Sequence, residues 1–258
     1  MLASVLRIVL MLAAVYAAAA VMAHLMSRSM LFPHPPPSYA LTPDLVQVTA
    51  PDGTRVVCRH WPNPTARFTL FWFHGNGEDL GAVAEYIQPY VQAGFAVFAL
   101  EYRGYGQSGG TPNESGLYAD AALGLDWLKR HGTPPARTIL FGYSLGGGVA
   151  IELATHERVA GLVLQSCFVS AYRVMTRVPL FPWDKFENLK KLPRVQCPVL
   201  VIHGTADEVV PVWHGEKLFA AAPGPKARLF VAGAPHGDVA GAAGEAYWQA
   251  LQAFAAGL

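Results

Sequence analysis

A serine surrounded by small residues is the first feature of this sequence that could support covalent chemistry. In the stretch FGYSLGGG, residues 141–148, Gly142, Ser144 and Gly146 form the pattern G-x-S-x-G. This pattern is typical of a serine on a sharp turn between a strand and a helix, with its hydroxyl exposed. A phosphate-binding loop is excluded, because it needs a Lys and then a Ser or Thr after its glycines. The pentapeptide alone leaves open a plain strand-turn-helix junction with a solvated serine.

A serine hydroxyl is a weak nucleophile at neutral pH and needs a histidine base that is oriented by a carboxylate. PVLVIHGTADEVVP places Asp207 just beyond an apolar run, and ARLFVAGAPHGDV does the same for His236. The order Ser144, Asp207, His236 is the one in which such residues follow a nucleophile elbow. Glu208, next to Asp207, is the rival carboxylate.

Short apolar runs alternate with helix-compatible segments and must position these residues. Such runs are typical of parallel strands that are buried on both faces. The runs are FTLFWF, FAVFAL, TILFG, GLVLQS, PVLVIHG and ARLFVAG, and helices are expected at about 80–93, 114–131, 145–155, 213–222 and 244–255. Right-handed crossovers then predict an α/β fold, a doubly wound, mostly parallel sheet with helices on both faces.

The two ends of this pattern add a hairpin and a lid. LVQVTA and RVVCRHW flank PDGT, whose Asp-Gly pair suits a tight turn, so an opening antiparallel hairpin is predicted. The stretch from about 167 to 196 has no strand pattern and predicts a short lid. Ligands of such sheets bind at the carboxyl ends of the strands, where the serine, the aspartate and the histidine are all expected.

Five ordered motifs carry a resemblance to a known family: HGNG, RGYGQSGG, GYSLGG, HGTADEVVP and PHGD. Over about residues 44–257 the sequence resembles the α/β-hydrolase superfamily of serine hydrolases. It is most similar to a small-lidded, N-terminally anchored branch that includes depalmitoylating thioesterases and many bacterial esterases. Glu101 departs from this branch, which often has Asp at that position.

The resemblance implies a role for each candidate residue. The G-x-x-D spacing of the family matches Asp207 rather than Glu208. An oxyanion hole needs two main-chain N–H groups, one of them from the residue after the nucleophile, which is Leu145. The resemblance assigns the second N–H to Asn76, with Gly77 as the alternative.

Composition and spacing exclude several other functions. The net charge of +1 and the lack of a Lys/Arg run argue against a nucleic-acid partner. GYGQSG, residues 104–109, matches a dinucleotide fingerprint, but Gly-Thr-Pro follows it where a helix should begin. The sequence has no clustered Cys/His or acidic metal-binding motif, so the chemistry is expected to need no metal and no cofactor.

The N-terminal segment differs in composition from the rest of the chain. IVLMLAAVYAAAAVMA is continuously apolar and, with Leu25 and Met26, approaches the length of a membrane span. Residues 1–30 are therefore interpreted as a signal anchor, which predicts a membrane-associated protein. Export after cleavage of a signal peptide and a helix buried on the domain remain the alternatives. Residues 31–43, with FPHPPPSY, predict a stiff extended spacer before a catalytic domain at 44–258.

These observations predict a serine hydrolase that cleaves carboxylic esters or thioesters through an acyl-enzyme on Ser144. The substrate would be a small-molecule or lipid acyl ester or thioester, or an acylated protein. Phe181 and Trp183 in the predicted lid are candidates for an acyl groove, with ordinary packing over the sheet as the alternative. A serine peptidase of the same fold and a binding protein without turnover are the rival functions.

Overall fold

One mixed sheet of eight strands organises the computed structural model, which describes residues 2–258. Its order is β1-β2-β4-β3-β5-β6-β7-β8. The strands are β1 Val46–Thr49, β2 Arg55–Trp61, β3 Thr69–Phe73, β4 Ala96–Leu100, β5 Thr138–Tyr143, β6 Gly161–Gln165, β7 Val199–Gly204 and β8 Lys226–Val231. Strand β2 is antiparallel to β1 and β4, and the remaining pairs are parallel. The predicted α/β class and the opening hairpin are confirmed.

Helices cover both faces of the sheet. They are α1 Leu2–Leu31, α2 Leu80–Tyr86, α3 Gln88–Gln92, α4 Glu114–Arg130, α5 Gly146–His156, α6 Ala171–Met175, α7 Asn188–Lys191, α8 Trp213–Ala221, α9 Val239–Ala243 and α10 Glu245–Ala256. One apolar layer contains buried residues of α4 and α5, and the other contains those of α2 and α10. All residues of β3, β4 and β7 are buried, which explains why most of their side chains are apolar.

The single helix that the sequence predicts at 80–93 is wrong, because the chain forms α2 and α3 instead. Pro89 lies at the start of α3. Proline has no N–H to donate, and its ring clashes with the carbonyl four residues earlier. The helix therefore ends before Ile87 and restarts around the proline.

The predicted lid occupies the connection between β6 and β7 and contains α6 and α7. Phe186 fixes its base, because this side chain is fully buried and packs against Gly148 of α5. The outer edge differs, since Val178, Leu180 and Trp183 are 57, 52 and 43% exposed. The lid therefore has a fixed base and an apolar outer edge.

The N-terminal helix α1 is 30 residues long and carries its apolar side chains mostly on the outside. Its most apolar window has a mean hydropathy of 2.3 and is 6% buried. By length and composition α1 could cross a membrane, as a signal sequence also could. Low burial distinguishes it from a core helix.

The segment after α1 is irregular, as its prolines require, but it is not a free spacer. Phe32 is buried and packs its ring edge-on against Phe186. The main-chain N–H of Ser38 donates to Asp79 Oδ2 at 2.6 Å. The hydroxyl of Tyr39 donates to Glu101 at 2.9 Å. The stretch that the sequence predicts as a spacer therefore docks on the α/β domain.

Candidate active site

Ser144 lies on a tight turn between β5 and α5 with φ of 50°. Residues other than glycine rarely adopt this left-handed backbone conformation, which is typical of strained functional positions. A Cβ at Gly142 would collide with the main chain of Gly147, and one at Gly146 would collide with the carbonyl of Phe73. The small residues around the serine are therefore required by close backbone packing.

Three loops at the carboxyl edge of the sheet bring Ser144, His236 and Asp207 together. Ser144 Oγ lies 3.1 Å from His236 Nε2, and His236 Nδ1 lies 2.7 Å from Asp207 Oδ2. The serine and the aspartate are 8 and 6% exposed. In this geometry the imidazole can accept the serine proton while its Nδ1–H donates to the carboxylate.

Asp207 is held by hydrogen bonds to both carboxylate oxygens. Oδ1 accepts from the main-chain N–H groups of Val209 and Val210 at 3.0 and 2.6 Å. Oδ2 faces His203 Nε2 at 3.3 Å in addition to His236. Burial alone would raise the pKa of Asp207, but the hydrogen bonds from both imidazoles and from Val210 outweigh it and hold the pKa well below its usual range. The carboxylate is therefore ionised at neutral pH.

The sequence analysis did not identify His203 as a residue that contacts Asp207. Its side chain is fully buried, and Nε2 also lies 2.7 Å from the carbonyl of Val210. The sequence offered one signal, a histidine at the end of a strand four residues before Asp207. The rival carboxylate Glu208 is exposed and accepts from the main-chain N–H of His236 at 3.4 Å. Asp207 is thus the carboxylate that contacts the imidazole ring.

The proposed oxyanion donors lie beside the serine. Leu145 and Asn76 line the same cavity as Ser144, whereas Gly77 does not. Within residues 2–258, neither the Leu145 nor the Asn76 main-chain N–H donates to another residue. Both groups are therefore available to an oxygen atom that develops negative charge near the serine.

A buried histidine–carboxylate pair supports the loop that carries Asn76. His74 Nδ1 lies 2.7 Å from the carbonyl of Gly75, and Nε2 lies 3.1 Å from Glu101 Oε1. Both nitrogens face acceptors, so the ring suits the imidazolium form. Burial alone would lower the pKa of His74, but the hydrogen bond and charge of Glu101 raise it above its ordinary value. Glu101 also accepts from the main-chain N–H of Leu80 at 2.9 Å.

A cavity of about 380 Å³ adjoins Ser144, within the size range of small-molecule sites. Apart from Ser144, Leu145 and Asn76, it is lined by residues of α1, the lid and the loop after β7: Ala23, Met26, Ser27, Met30, Leu31, Phe168, Ala171, Tyr172, Val174, Met175, Thr176, Phe181, Val209 and Val210. Phe181, a candidate from the sequence, is among them. Trp183 lies outside this cavity and stacks on Phe181 at 6.1 Å between ring centroids. Trp183 therefore packs against Phe181, which lines the cavity, but does not line the cavity itself.

The lining of a second cavity, of about 410 Å³, includes Glu78, Tyr143 and Asp238. Within residues 2–258 no group of three or more His, Cys, Asp and Glu side chains is arranged to hold a metal ion. The three cysteines, Cys58, Cys167 and Cys197, are buried free thiols.

Comparison with known proteins places the chain in a family. The family model Hydrolase_4, described as serine aminopeptidase S33, matches residues 64–188. Alpha/beta hydrolase domain-containing protein aho-3 of Caenorhabditis elegans is 40% identical over 185 residues, 69% of this chain and 55% of that protein. Alpha/beta hydrolase domain-containing protein 17B of Homo sapiens is 37% identical over 205 residues, 78% of this chain and 69% of that protein. The chain therefore spans about half of the first relative and about two thirds of the second.

Solved structures agree in fold. The esterase RhEst1 from Rhodococcus sp. ECU1013 has a TM-score of 0.66 at 20% identity, over 83% of this chain and 98% of that one. The Pyrococcus furiosus esterase Pf2001 has a TM-score of 0.70 at 20% identity, over 85% and 96% of the two chains. At this identity the likeness concerns the fold. The sequence relatives show that the chain belongs to the α/β-hydrolase superfamily, and the solved structures share its fold.

Proposed function

We propose that this protein is a serine hydrolase that cleaves carboxylic ester or thioester bonds through an acyl-enzyme on Ser144. The observation that carries the proposal is the chain of contacts from Ser144 Oγ to His236 at 3.1 Å and from His236 to Asp207 at 2.7 Å. The apolar cavity beside the serine supports an acyl substrate, because apolar ligands bind in pockets lined by such side chains.

The mechanism has two halves with matched proton transfers. His236 Nε2 accepts the Ser144 proton as Oγ attacks the carbonyl carbon, and the oxyanion accepts hydrogen bonds from the N–H groups of Leu145 and Asn76. His236 then gives the proton to the departing alcohol or thiol. Water next attacks the acyl-enzyme and loses a proton to His236, and the collapse of the second intermediate returns that proton to Ser144 Oγ and releases the acid. Asp207 keeps the imidazole oriented throughout.

The proposal includes a membrane location. Residues 1–30 act as a signal anchor, residues 31–43 connect it to the α/β domain at 44–258, and the lid at about 167–196 covers the site. The exposed apolar side chains of α1 and of the lid edge support this arrangement. Lipid esters and acylated proteins are concentrated at a bilayer and would be the substrates. Cleavage of residues 1–30 as a signal peptide is the alternative.

Two rival functions make distinct predictions. The description of the matched family model, serine aminopeptidase, favours a peptidase as the second candidate. A binding protein without turnover would not require the contacts around Ser144.

The test uses the full-length protein in detergent. The wild-type protein should be labelled by a fluorophosphonate, Ser144→Ala should not, and the control Ser115→Ala, at an exposed helix position, should be labelled normally. Hydrolysis of acyl esters, acyl thioesters and aminoacyl amides then separates the candidates. Persistent labelling of Ser144→Ala would falsify the assignment, and turnover of the amides alone would favour the peptidase.

A further inference from the structure

The C-terminal half of α1 forms part of the cavity beside Ser144. Ala23, Met26, Ser27, Met30 and Leu31 line it on the helix side. They recur at the spacing that places residues on one face of a helix. Ser27 is only 8% exposed although most of α1 is exposed. A helix that served only as a membrane anchor would not need to line a cavity beside Ser144.

Direct contacts hold α1 in this position at two levels. Near its C-terminus, the Asn76 side-chain amide donates to the carbonyl of Met30 at 3.3 Å. Farther up the helix, the hydroxyl of Tyr16 donates to the carbonyl of Leu180 at 2.9 Å, and its ring lies 6.0 Å from that of Phe181. One contact involves the proposed oxyanion loop and the other the lid. The helix is therefore fixed across the length of the cavity.

The cavity reaches the surface between α1 and the lid. Met26 and Met175 both line it and are 50 and 75% exposed. A membrane span needs about 20 residues, which from Leu2 extends beyond the level of Tyr16. Tyr16 contacts the lid at Leu180. In the proposed membrane location, the lid edge would therefore lie at the depth of the lipid acyl chains, and the cavity would open towards lipid.

From this geometry we infer that the membrane helix completes the substrate site: the face Ala23–Leu31 is one wall of the acyl pocket. The acyl chain reaches Ser144 from the lipid side, between α1 and the lid. This inference rests on the proposed function and adds to it the residues that select chain length. The helix that anchors the chain then also determines which acyl chain lengths fit the pocket.

Paired substitutions of alanine on α1 test the wall. Ala23→Phe narrows the cavity, whereas Ala19→Phe makes the same change one turn earlier, at an exposed position outside the cavity. The ratio of kcat/KM for long-chain to short-chain p-nitrophenyl esters should fall at least about tenfold in Ala23→Phe, the factor expected when about two methylene groups lose their burial. Ala19→Phe should keep the wild-type ratio. Equal ratios in the two variants would overturn the inference.

A second measurement needs no variant. A fluorophosphonate with a long alkyl chain that ends in a diazirine is attached to the full-length protein in nanodiscs and irradiated. Mass spectrometry should locate cross-links in residues 23–31. Attachment at Ser144 with cross-links only elsewhere would overturn the inference while the proposed function stands. No attachment and no ester hydrolysis by the wild-type protein would overturn the proposed function and this inference with it.

Discussion

Asp207 and Glu208 are adjacent in the sequence but have different surroundings. Asp207 is buried and accepts hydrogen bonds from main-chain N–H groups and from imidazole rings. Glu208 is exposed and accepts a hydrogen bond from the main-chain N–H of His236 at 3.4 Å. At the scale of single residues, the two carboxylates therefore differ in burial and in hydrogen-bond partners, and only Asp207 contacts the imidazole ring of His236.

Substitution of these carboxylates should separate their roles. Asp207→Asn should lower kcat by about 10⁴, because the amide no longer fixes the imidazole tautomer that accepts the serine proton. Glu208→Gln keeps the size of the side chain and should change kcat by less than about threefold, since it removes an exposed contact of modest strength. Steady-state kinetics on a short ester provides the comparison. The reverse ranking would transfer the role to Glu208.

At the scale of elements, the pair His74–Glu101 connects the loop after β3 to the loop after β4. Glu101 also accepts a hydrogen bond from the N–H of Leu80 at the start of α2 and one from Tyr39 in the segment after α1. One buried carboxylate thus joins four parts of the chain next to the proposed oxyanion loop. Glutamate is one methylene longer than the aspartate that the related branch often has at this position, and this length allows the Glu101 carboxylate to reach all of these partners.

The stability that this pair contributes should depend on pH with a definite sign. The pKa of His74 is raised in the folded protein, so its contribution is fully present below the unfolded value of about 6.5 and is lost as pH rises through the folded pKa. The difference in urea midpoint between the wild-type protein and Glu101→Gln should therefore be largest near pH 6 and shrink towards pH 9.

Glu85→Gln, at an exposed helix position, is the control for this effect. The difference in urea midpoint between the wild-type protein and Glu85→Gln should not vary with pH. His214 has the opposite sign, because burial lowers its pKa to about 3 and its contribution is lost as pH falls below about 6.5. Since His214 is present in both proteins, it cancels in the difference. A difference that does not vary with pH would contradict the assignment of an ionised His74.

At the scale of the whole molecule, the N-terminal region is packed against the α/β domain. Phe32 packs on Phe186, and the main-chain N–H of Ser38 donates to Asp79, the residue that caps helix α2. Because Phe186 also fixes the base of the lid, the region after α1 and the lid share one apolar contact. Removal of α1 together with Phe32 should therefore affect the lid as well as the proposed membrane location.

Two truncations should separate anchoring from docking. A protein that starts at Pro36 keeps the contacts of Ser38 and Tyr39 and should be soluble, folded and active on short esters, but should lose activity on membrane-embedded substrates. A protein that starts at Asp44 lacks these hydrogen bonds, each worth about 1 kcal/mol, and its Tm should be lower by about 5 °C. Calorimetry and hydrolysis of short and membrane-embedded esters provide the comparison.

Insolubility of the Pro36 protein would show instead that α1 is a core element of the fold. Equal melting temperatures of the two truncated proteins would show that the contacts of Ser38 and Tyr39 add nothing to stability.

The sequence by itself predicted the strands and the three candidate residues Ser144, Asp207 and His236. Buried parallel strands need continuous apolar runs, and a serine turn between a strand and a helix needs small neighbours, so both leave local patterns. The order of Ser144, Asp207 and His236 was also readable, although their catalytic roles stay predictions. Pro89 was a local signal for the break between α2 and α3, but the apolar pattern around it concealed the break.

Only the tertiary structure decided which distant residues touch. Ser144 and His236 are 92 positions apart, and Tyr16 and Leu180 are 164 apart. Nothing local distinguishes Phe186, which is fully buried, from Trp183, which is 43% exposed. Likewise, the sequence of α1 fits a lipid anchor equally well whether or not one face lines a cavity. Such contacts depend on how the elements pack across the fold, and apolar periodicity specifies that a face is buried but not against which partner.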